Sequence, residues 1–455
     1  MTGKEKIMNI NIPNNVLNVM HILEIFGGFQ AFVVGGAVRD SIIGIPVNDW
    51  DVATDANPDQ VISLFENHGF RVIETGFDHG TVTVMSDGEP IEITTFRRDF
   101  NFSGGHSCDV EFVGSILTDM SRRDFTMNAI AVDSNGNVED PFGGMADIHN
   151  RVIRFVGDSN QRIVEDPLRM MRAVRFEAQK NFHMDANAIM AIVMNAHLVE
   201  NISVERIINE IKKMIVANPL SIITLHEVGI LHFIMPEVDI LFDTIQNNPH
   251  HRFFKVGNHT VNSMMHVDGF VLRFAMLMHD TGKAVTKTTD ENGVDHFFGH
   301  EHVSAKIAET VMRRMKMDND TINQVVVLVD NHGRDIAMSA NAVKRVINKV
   351  GAENFENLIA VKVADDMAKD VDRSDVADRI ANANSLVEIF HNVMANAEAF
   401  DRSGLVVNGH DMMEIGFVGR EIKFVLEHLV DVVIENPDAN ERENLMEVAR
   451  NFRNS

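Results

Sequence analysis

The chain changes character near Asn150, and that change constrains its fold more than any other feature. Before it, β-prone runs such as AFVVGG and DWDVAT alternate with turn signals. GTVTVMSDGEPIEITTFRRD reads as two strands around the turn-forming SDGEP. PDQVISLFENHGF reads as a helix with Pro58 and Asp59 at its start. Beyond Pro249 a single proline remains, Pro437, and apolar residues recur at helical spacing through SAKIAETVMRRMKM and EIKFVLEHLVDVVIE. The expected fold class is α+β: a small mixed α/β head over 1–150, followed by a long all-helical neck (151–215), body (216–345) and tail (346–455).

The balance of 45% apolar and 24% charged residues supports a globular core in water. A net charge of −25 excludes generic nucleic-acid binding through an overall basic surface, so an RNA partner requires a local basic groove on an acidic body. One cysteine, Cys108, rules out a disulfide framework and fits a reducing compartment. The stretch MTGKEKIMNINIPNN lacks the apolar core of a signal peptide, and no apolar run reaches membrane-spanning length. A cytoplasmic location with no membrane partner is expected.

The run GGAVRDSIIGIPVNDWDVATD, from Gly35 to Asp55, carries the first chemical signal. On a strand, Asp49 and Asp51 would project to one face while Trp50 turns inward. Two carboxylates on one face suit a hard divalent cation such as Mg²⁺, which could bridge phosphates and activate a hydroxyl. Gly36 after an apolar strand, with Arg39 three residues on, suggests a phosphate cradle. Alone, a D-x-D pair is mostly a solvated turn; the full spacing is the specific signal.

VVGGAVRDSIIGIPVNDWDVATDANPDQV resembles the signature of class II template-independent nucleotidyltransferases, the bacterial-type CCA-adding tRNA nucleotidyltransferases and bacterial poly(A) polymerases. IEITTFRRD, RRDFTMNAIAVD, DPFGGMADI and RIVEDPLRMMRAVRF follow in that family's order, and LVVNGHDMMEIGFVGREIKFVLEHL is similar to its tail. The resemblance implies a head of the DNA polymerase beta type and addition of CCA to the tRNA 3′ end from CTP and ATP. It also implies that Arg123 contacts the nucleotide phosphates. Glu92, on an expected strand, is a candidate third carboxylate beside the metal, and Asp140 is read as opening a turn. Arg122 is read as a salt-bridge partner for Asp119 or Asp124. The family often has an RHP-like step where this chain has SGGHSCDVEF, so Gly105 stands where an arginine is expected.

In EDPLRMMRAVRF, Asp166, Arg169, Arg172 and Arg175 are spaced by three and would form a ribbon on a helix. A carboxylate beside a guanidinium can match the Watson–Crick edge of a base, and further guanidinium forks suit phosphates. The resemblance implies this division, with Asp166 and Arg169 selecting the base and Arg172 and Arg175 holding the triphosphate. A salt-bridged surface helix is the bland alternative.

Farther on, His259 precedes the adjacent pair His279–Asp280 in MLMHDTGK, and His296, His300 and His302 follow. Imidazoles with a carboxylate ligate transition metals. The pattern resembles an HD phosphohydrolase domain, which implies a metal at His259, His279 and Asp280, with Asp330 a candidate for the last ligand. Three rival readings share these motifs: a poly(A) polymerase, an enzyme adding only CC or only A, and an HD phosphohydrolase whose head merely binds nucleotide. A poly(A) polymerase is expected to carry a strongly basic tail, whereas this chain ends NLMEVARNFRNS.

Overall fold

The computed structural model describes residues 10–101, 109–247, 255–369, 373–395 and 401–454. Gly105 and Cys108 lie outside the described residues. The chain packs into two compact units, Met1–Ile234 and Met235–Ser455.

The first unit is built on β1 (Ala31–Val34), β2 (Asp51–Thr54), β3 (Arg71–Gly76), β4 (Thr81–Ser86) and β5 (Glu89–Thr95), with β6 (Arg97–Phe100) and β7 (Asp109–Phe112) forming a separate ribbon. Two further strands, β8 (Ala131–Asp133) and β9 (Val138–Glu139), complete a seven-stranded sheet in the order β3-β4-β5-β2-β1-β8-β9. β4 and β5 turn through Asp87 and Gly88, both at positive φ, as the SDGEP signal predicts. β1 lies antiparallel to β2 with Val34 opposite Asp51, and β2 lies parallel to β5 with Asp51 opposite Glu92. Val33, Val52, Ala53, Ile91 and Ile93 are buried along these central strands and fix the register. The helix Pro58–Asn67 starts at a capping box between Asn57 and Gln60, with proline in its first turn.

Three expectations are corrected. Asp49 and Trp50 precede β2, so strand alternation does not orient them, and Trp50 is half-buried instead of turned into the core. Asp166 is not on the arginine helix, which spans Leu168–Lys180. It sits in extended conformation between that helix and the helix Ser159–Glu165. Pro167 explains the break, because the residue before a proline is pushed out of the helical region. The part beyond 150 is also not purely helical: β10 (Val152–Ile153) pairs with β11 (His183–Met184), and β12 (Thr288–Thr289) with β13 (Asp295–His296).

In the second unit, the helices Val256–Met264, Phe270–Met278, His300–Arg314, Asn319–Asn331 and Ala352–Ala368 surround a buried polar cluster. A later hydrophobic cluster joins Val407, Met412 and Phe417 to Val425, Leu429 and Val433 of the helix Arg420–Glu435. Among the described residues, no helix is long and apolar enough to cross a membrane.

Candidate nucleotide site and histidine cluster

A cavity of about 530 Å³ opens in the first unit where β1 and β2 meet the arginine helix. Gly35 follows β1 at φ +72°, and a Cβ there would lie 3.0 Å from Arg123 Nη1 and 4.0 Å from Asp51 Oδ2. The absence of a side chain therefore permits both the backbone turn and the approach of those groups. Gly36, the sequence-based choice, also lines the cavity and begins the short helix Gly36–Ile42, but a Cβ there would make only ordinary contact.

Asp51 projects into the cavity. Burial raises its carboxyl to about 6, with further repulsion from Glu92 and Asp49 and partial relief from Arg123. Glu92 is its register partner on β5 and is exposed. Asp49 is exposed and lines a neighbouring depression with Trp50 and Pro90, close enough to act on Asp51 electrostatically. Excess negative charge thus collects around Asp51, a setting that a divalent cation would balance.

The opposite wall is cationic. Buried Asp119 holds Arg122 at 2.8 Å and Arg123 at 3.0 Å. Arg122 also reaches Asp99, at 3.2 Å, while Asp124 belongs to Arg172 instead. Arg172 Nε donates to Asp124 Oδ2 at 2.8 Å, and Asn128 donates to the other oxygen at 2.9 Å. Burial opposes ionisation of Asp124, yet Arg172, Asn128 and the Phe125 N–H bring its carboxyl down to about 2. Asn128 in turn accepts from Arg39 Nη1 at 2.6 Å. A chain of contacts from Arg39 through Asn128 and Asp124 to Arg172 therefore fixes two arginines contributed by distant segments.

Beneath them lies Phe176, which sequence reading did not single out. Its ring lies 4.2 Å from the guanidinium carbon of Arg175, 4.9 Å from that of Arg39 and 5.5 Å from that of Arg172. The ring's negative face attracts each cation. Arg175 is further held by Glu210 and by Gln179, the latter at 2.9 Å.

Asp166 and Arg169 both line the cavity, but Asp166's guanidinium partner is Arg206, at 3.1 Å, from the helix Val204–Ala217. Asp166 Oδ1 also accepts the Leu168 N–H at 3.1 Å. Arg169 donates to Glu165 at 3.0 Å and to the carbonyls of Arg162 and Arg122 at 2.9 and 2.8 Å. The Asp166–Arg169 pairing of the sequence reading is thus replaced by two separately anchored groups. Arg206 carried no motif signal; it follows Glu205 in the first turn of an ordinary amphipathic helix. Asp140 opens the turn before the helix Gly144–Asn150, as expected, and its carboxylate also accepts the N–H groups of Gly144 and Met145.

In the second unit His259, His279 and Asp280 come together, all buried. The nearby second carboxylate is Asp365, 3.0 Å from His259 Nε2. Asp330 instead faces His302 at 3.1 Å, and His296 faces Asp290 at 3.0 Å. Asp365 lies beyond the expected body boundary at 345, in a helix whose sequence offers no histidine beside it.

Sequence models for the poly A polymerase head domain match residues 31–154, and those for a probable RNA and SrmB-binding site of polymerase A match 181–241. An HD domain model matches 254–370, which includes Asp365. The first two models both describe parts of a poly A polymerase, and they follow in chain order. The CCA-adding enzyme of Ligilactobacillus salivarius is 42% identical over 213 residues, 46% of this chain and 52% of that one. The CCA-adding enzyme of Geobacillus thermodenitrificans is 47% identical over 189 residues, 41% of this chain and 46% of that one. The match therefore spans about half the length of these curated relatives. The Bacillus stearothermophilus CCA-adding enzyme in complex with CTP aligns with a TM-score of 0.69 at 27% identity, covering 97% of this chain and 98% of that chain. The Thermotoga maritima CCA-adding enzyme complexed with tRNA shares the fold, at a TM-score of 0.55 and 18% identity, covering 97% and 96%.

Proposed function

We propose that this chain adds CCA to the 3′ end of tRNA from CTP and ATP, acting in the cytoplasm. The observation that carries the reading is a single cavity in which Asp51 faces a wall of anchored arginines with Asp166 and Arg169 at its edge. The named activity of the relatives supports the same assignment.

Asp49 and Asp51, with Glu92 as third carboxylate, would hold Mg²⁺, which would balance the negative charge gathered around the Asp51 carboxyl. The ion would supply charge compensation on the α-phosphate and a lower pKa for the attacking RNA 3′-hydroxyl. Gly36, Arg39, Arg123, Arg172 and Arg175 hold the triphosphate, their forks set in place by Asp119, Asp124, Glu210 and the Phe176 ring. Asp166 and Arg169 read the base, with Arg206 orienting the Asp166 carboxylate. Residues 346–455 serve as the tail that grips tRNA by shape and backbone. His259, His279 and Asp280, with Asp365 as the further carboxylate, would hold a transition metal.

Incubating the protein with tRNAs ending before CCA, after C and after CC, each triphosphate supplied alone, tests the reading. Stepwise C, C, A addition is expected. Homopolymeric A tails, or addition limited to CC or to A, would replace it with a rival. Retained addition in both Asp49→Ala and Asp51→Ala would remove the metal-site assignment.

A further inference from the structure

Trp50, the single tryptophan of the chain, stands beside Asp49 and takes no part in holding the triphosphate. It is half-buried, in the irregular stretch just before β2. Among the described residues its indole enters no hydrogen bond, ring contact or ion contact. Two hollows flank it. The larger, of about 400 Å³, is lined by Asn48, Asp49, Glu89 and Pro90 as well as Trp50. The smaller, of about 350 Å³, reaches towards Ser41 and Ile45. Pro13, Val47 and Trp50 line both, so they form the ridge between them.

The larger hollow adjoins the paired carboxylates from a side that the nucleotide does not fill. Asp51 opens on the arginine-lined cavity, whereas Asp49, close enough to act on it electrostatically, opens on this hollow. β5 makes the same connection, because Pro90 stands two residues before Glu92, the register partner of Asp51. Strand alternation puts Pro90 and Glu92 on one face, about 7 Å apart along the strand, while Ile91 between them is buried. In phosphoryl transfer the attacking and leaving oxygens lie roughly in line. With the triphosphate held on the arginine wall, pyrophosphate leaves towards that wall. The attacking hydroxyl therefore arrives from across the carboxylates, where this hollow lies.

The lining selects one part of an RNA chain. Among the described residues no lysine or arginine lines either hollow, and Asp49 and Glu89 give the larger one an acidic rim. A phosphate is repelled there. The terminal nucleoside is the one unit of an RNA with no phosphate on its 3′ oxygen, so its base and ribose can enter while its 5′ phosphate stays outside. An indole with proline and valine beside it offers that base a flat apolar face. Stacking is tolerant of sequence, because every base has a π-face. The reaction demands that tolerance: the last base of the RNA changes as nucleotides are added, and a pocket that read it by hydrogen bonds would stall the following step.

We propose that Trp50 is the stacking platform for the 3′-terminal nucleoside of the RNA being extended, seated in the hollow that Asp49 and Pro90 share with it. The proposal rests on the reading that this chain extends tRNA with CCA, and the test separates the two. Because Trp50 is the sole tryptophan, its emission reports on this hollow alone. The full-length protein is titrated in EDTA, which prevents addition, with tRNA ending after CC, with the same tRNA carrying a 3′-phosphate, and with CTP alone. Filter retention follows the binding of each RNA separately. Quenching by the first is expected, with little from the other two. Trp50→Leu should raise the KM for tRNA about tenfold and leave the KM for CTP within about twofold, and Trp50→Phe, which keeps a ring, should restore most of the loss. A residue that merely held the fold would shift both KM values together. Bound tRNA that leaves the emission unmoved, equal quenching by the 3′-phosphate tRNA or by CTP, or an unaltered tRNA KM in Trp50→Leu overturns the platform. Should Trp50→Leu fold poorly, the emission of the unaltered protein decides. Failure of the unaltered protein to extend any tRNA in Mg²⁺ overturns the parent reading, whereas extension with unmoved emission overturns the platform alone.

Discussion

Replacing Glu92 with Gln removes the negative side chain that stands in register with Asp51 across β5 and β2. After burial, Glu92 is the largest influence raising the Asp51 carboxyl to about 6. The consequence is a competition between a proton and the catalytic cation. At about pH 5 a carboxyl with that pKa is only about one-tenth ionised, whereas an unperturbed aspartate is about nine-tenths ionised. At limiting Mg²⁺ the rate of single-nucleotide addition should therefore drop about tenfold from pH 7 to pH 5, with its midpoint near 6. Excess Mg²⁺ should move that midpoint downward, because the cation binds the ionised form. Glu92→Gln should lower it by on the order of one pH unit, equivalent to about 1.4 kcal/mol. If Glu92 is also a ligand, the plateau rate at high pH falls too, and plateau and midpoint are read separately from one profile. The sign is specific: proton competition strengthens as pH falls through the raised pKa. A midpoint near 4 in the unaltered protein, or one that Glu92→Gln leaves in place, refutes the reasoning.

Asp124→Asn should destabilise the first unit by about 3 kcal/mol, since it leaves the Arg172 guanidinium without its buried counter-charge; urea unfolding measures this. With its carboxyl held near 2 in the folded chain, Asp124 contributes about 2.5 kcal/mol above its ordinary pKa of 3.8, and that contribution disappears as pH falls towards 2. Arg206→Ala should reduce discrimination between CTP and ATP about tenfold while leaving tRNA affinity unchanged, measured by competition between the two triphosphates. Phe176→Leu should weaken binding of every triphosphate by a similar factor, roughly three- to tenfold, through loss of its cation–π contacts; a selective effect on one nucleotide would contradict this.

Signals that live within a few residues were legible in the chain. The SDGEP turn, the helix start at Pro58 and the turn opened by Asp140 depend on local hydrogen bonds and backbone preference, and the structure has all three. Gathering Asp51 and the arginines of Leu168–Lys180 into one cavity was legible through motif order. Arg206 and Asp365 were not, because each enters its site by helix packing from a distant segment, which leaves no trace in spacing. Asp166 was misplaced on the arginine helix although Pro167 marked the break. Extending a three-residue rhythm across a proline was the error. Gly35 and Gly36 both line the cavity and read alike in the sequence, and the φ of +72° and the approach of Arg123 set Gly35 apart.

The benzene ring of Phe176 also limits how this cavity can change over time. Each of three side chains lies against it through a flat delocalised group while offering an edge to a carboxylate or amide. An ammonium is compact and has no plane to lay down, so lysine could keep the charge yet lose the stacking and the fork. Drift between the two basic residues, harmless on most surfaces, should be barred at 39, 172 and 175 for as long as an aromatic residue occupies 176.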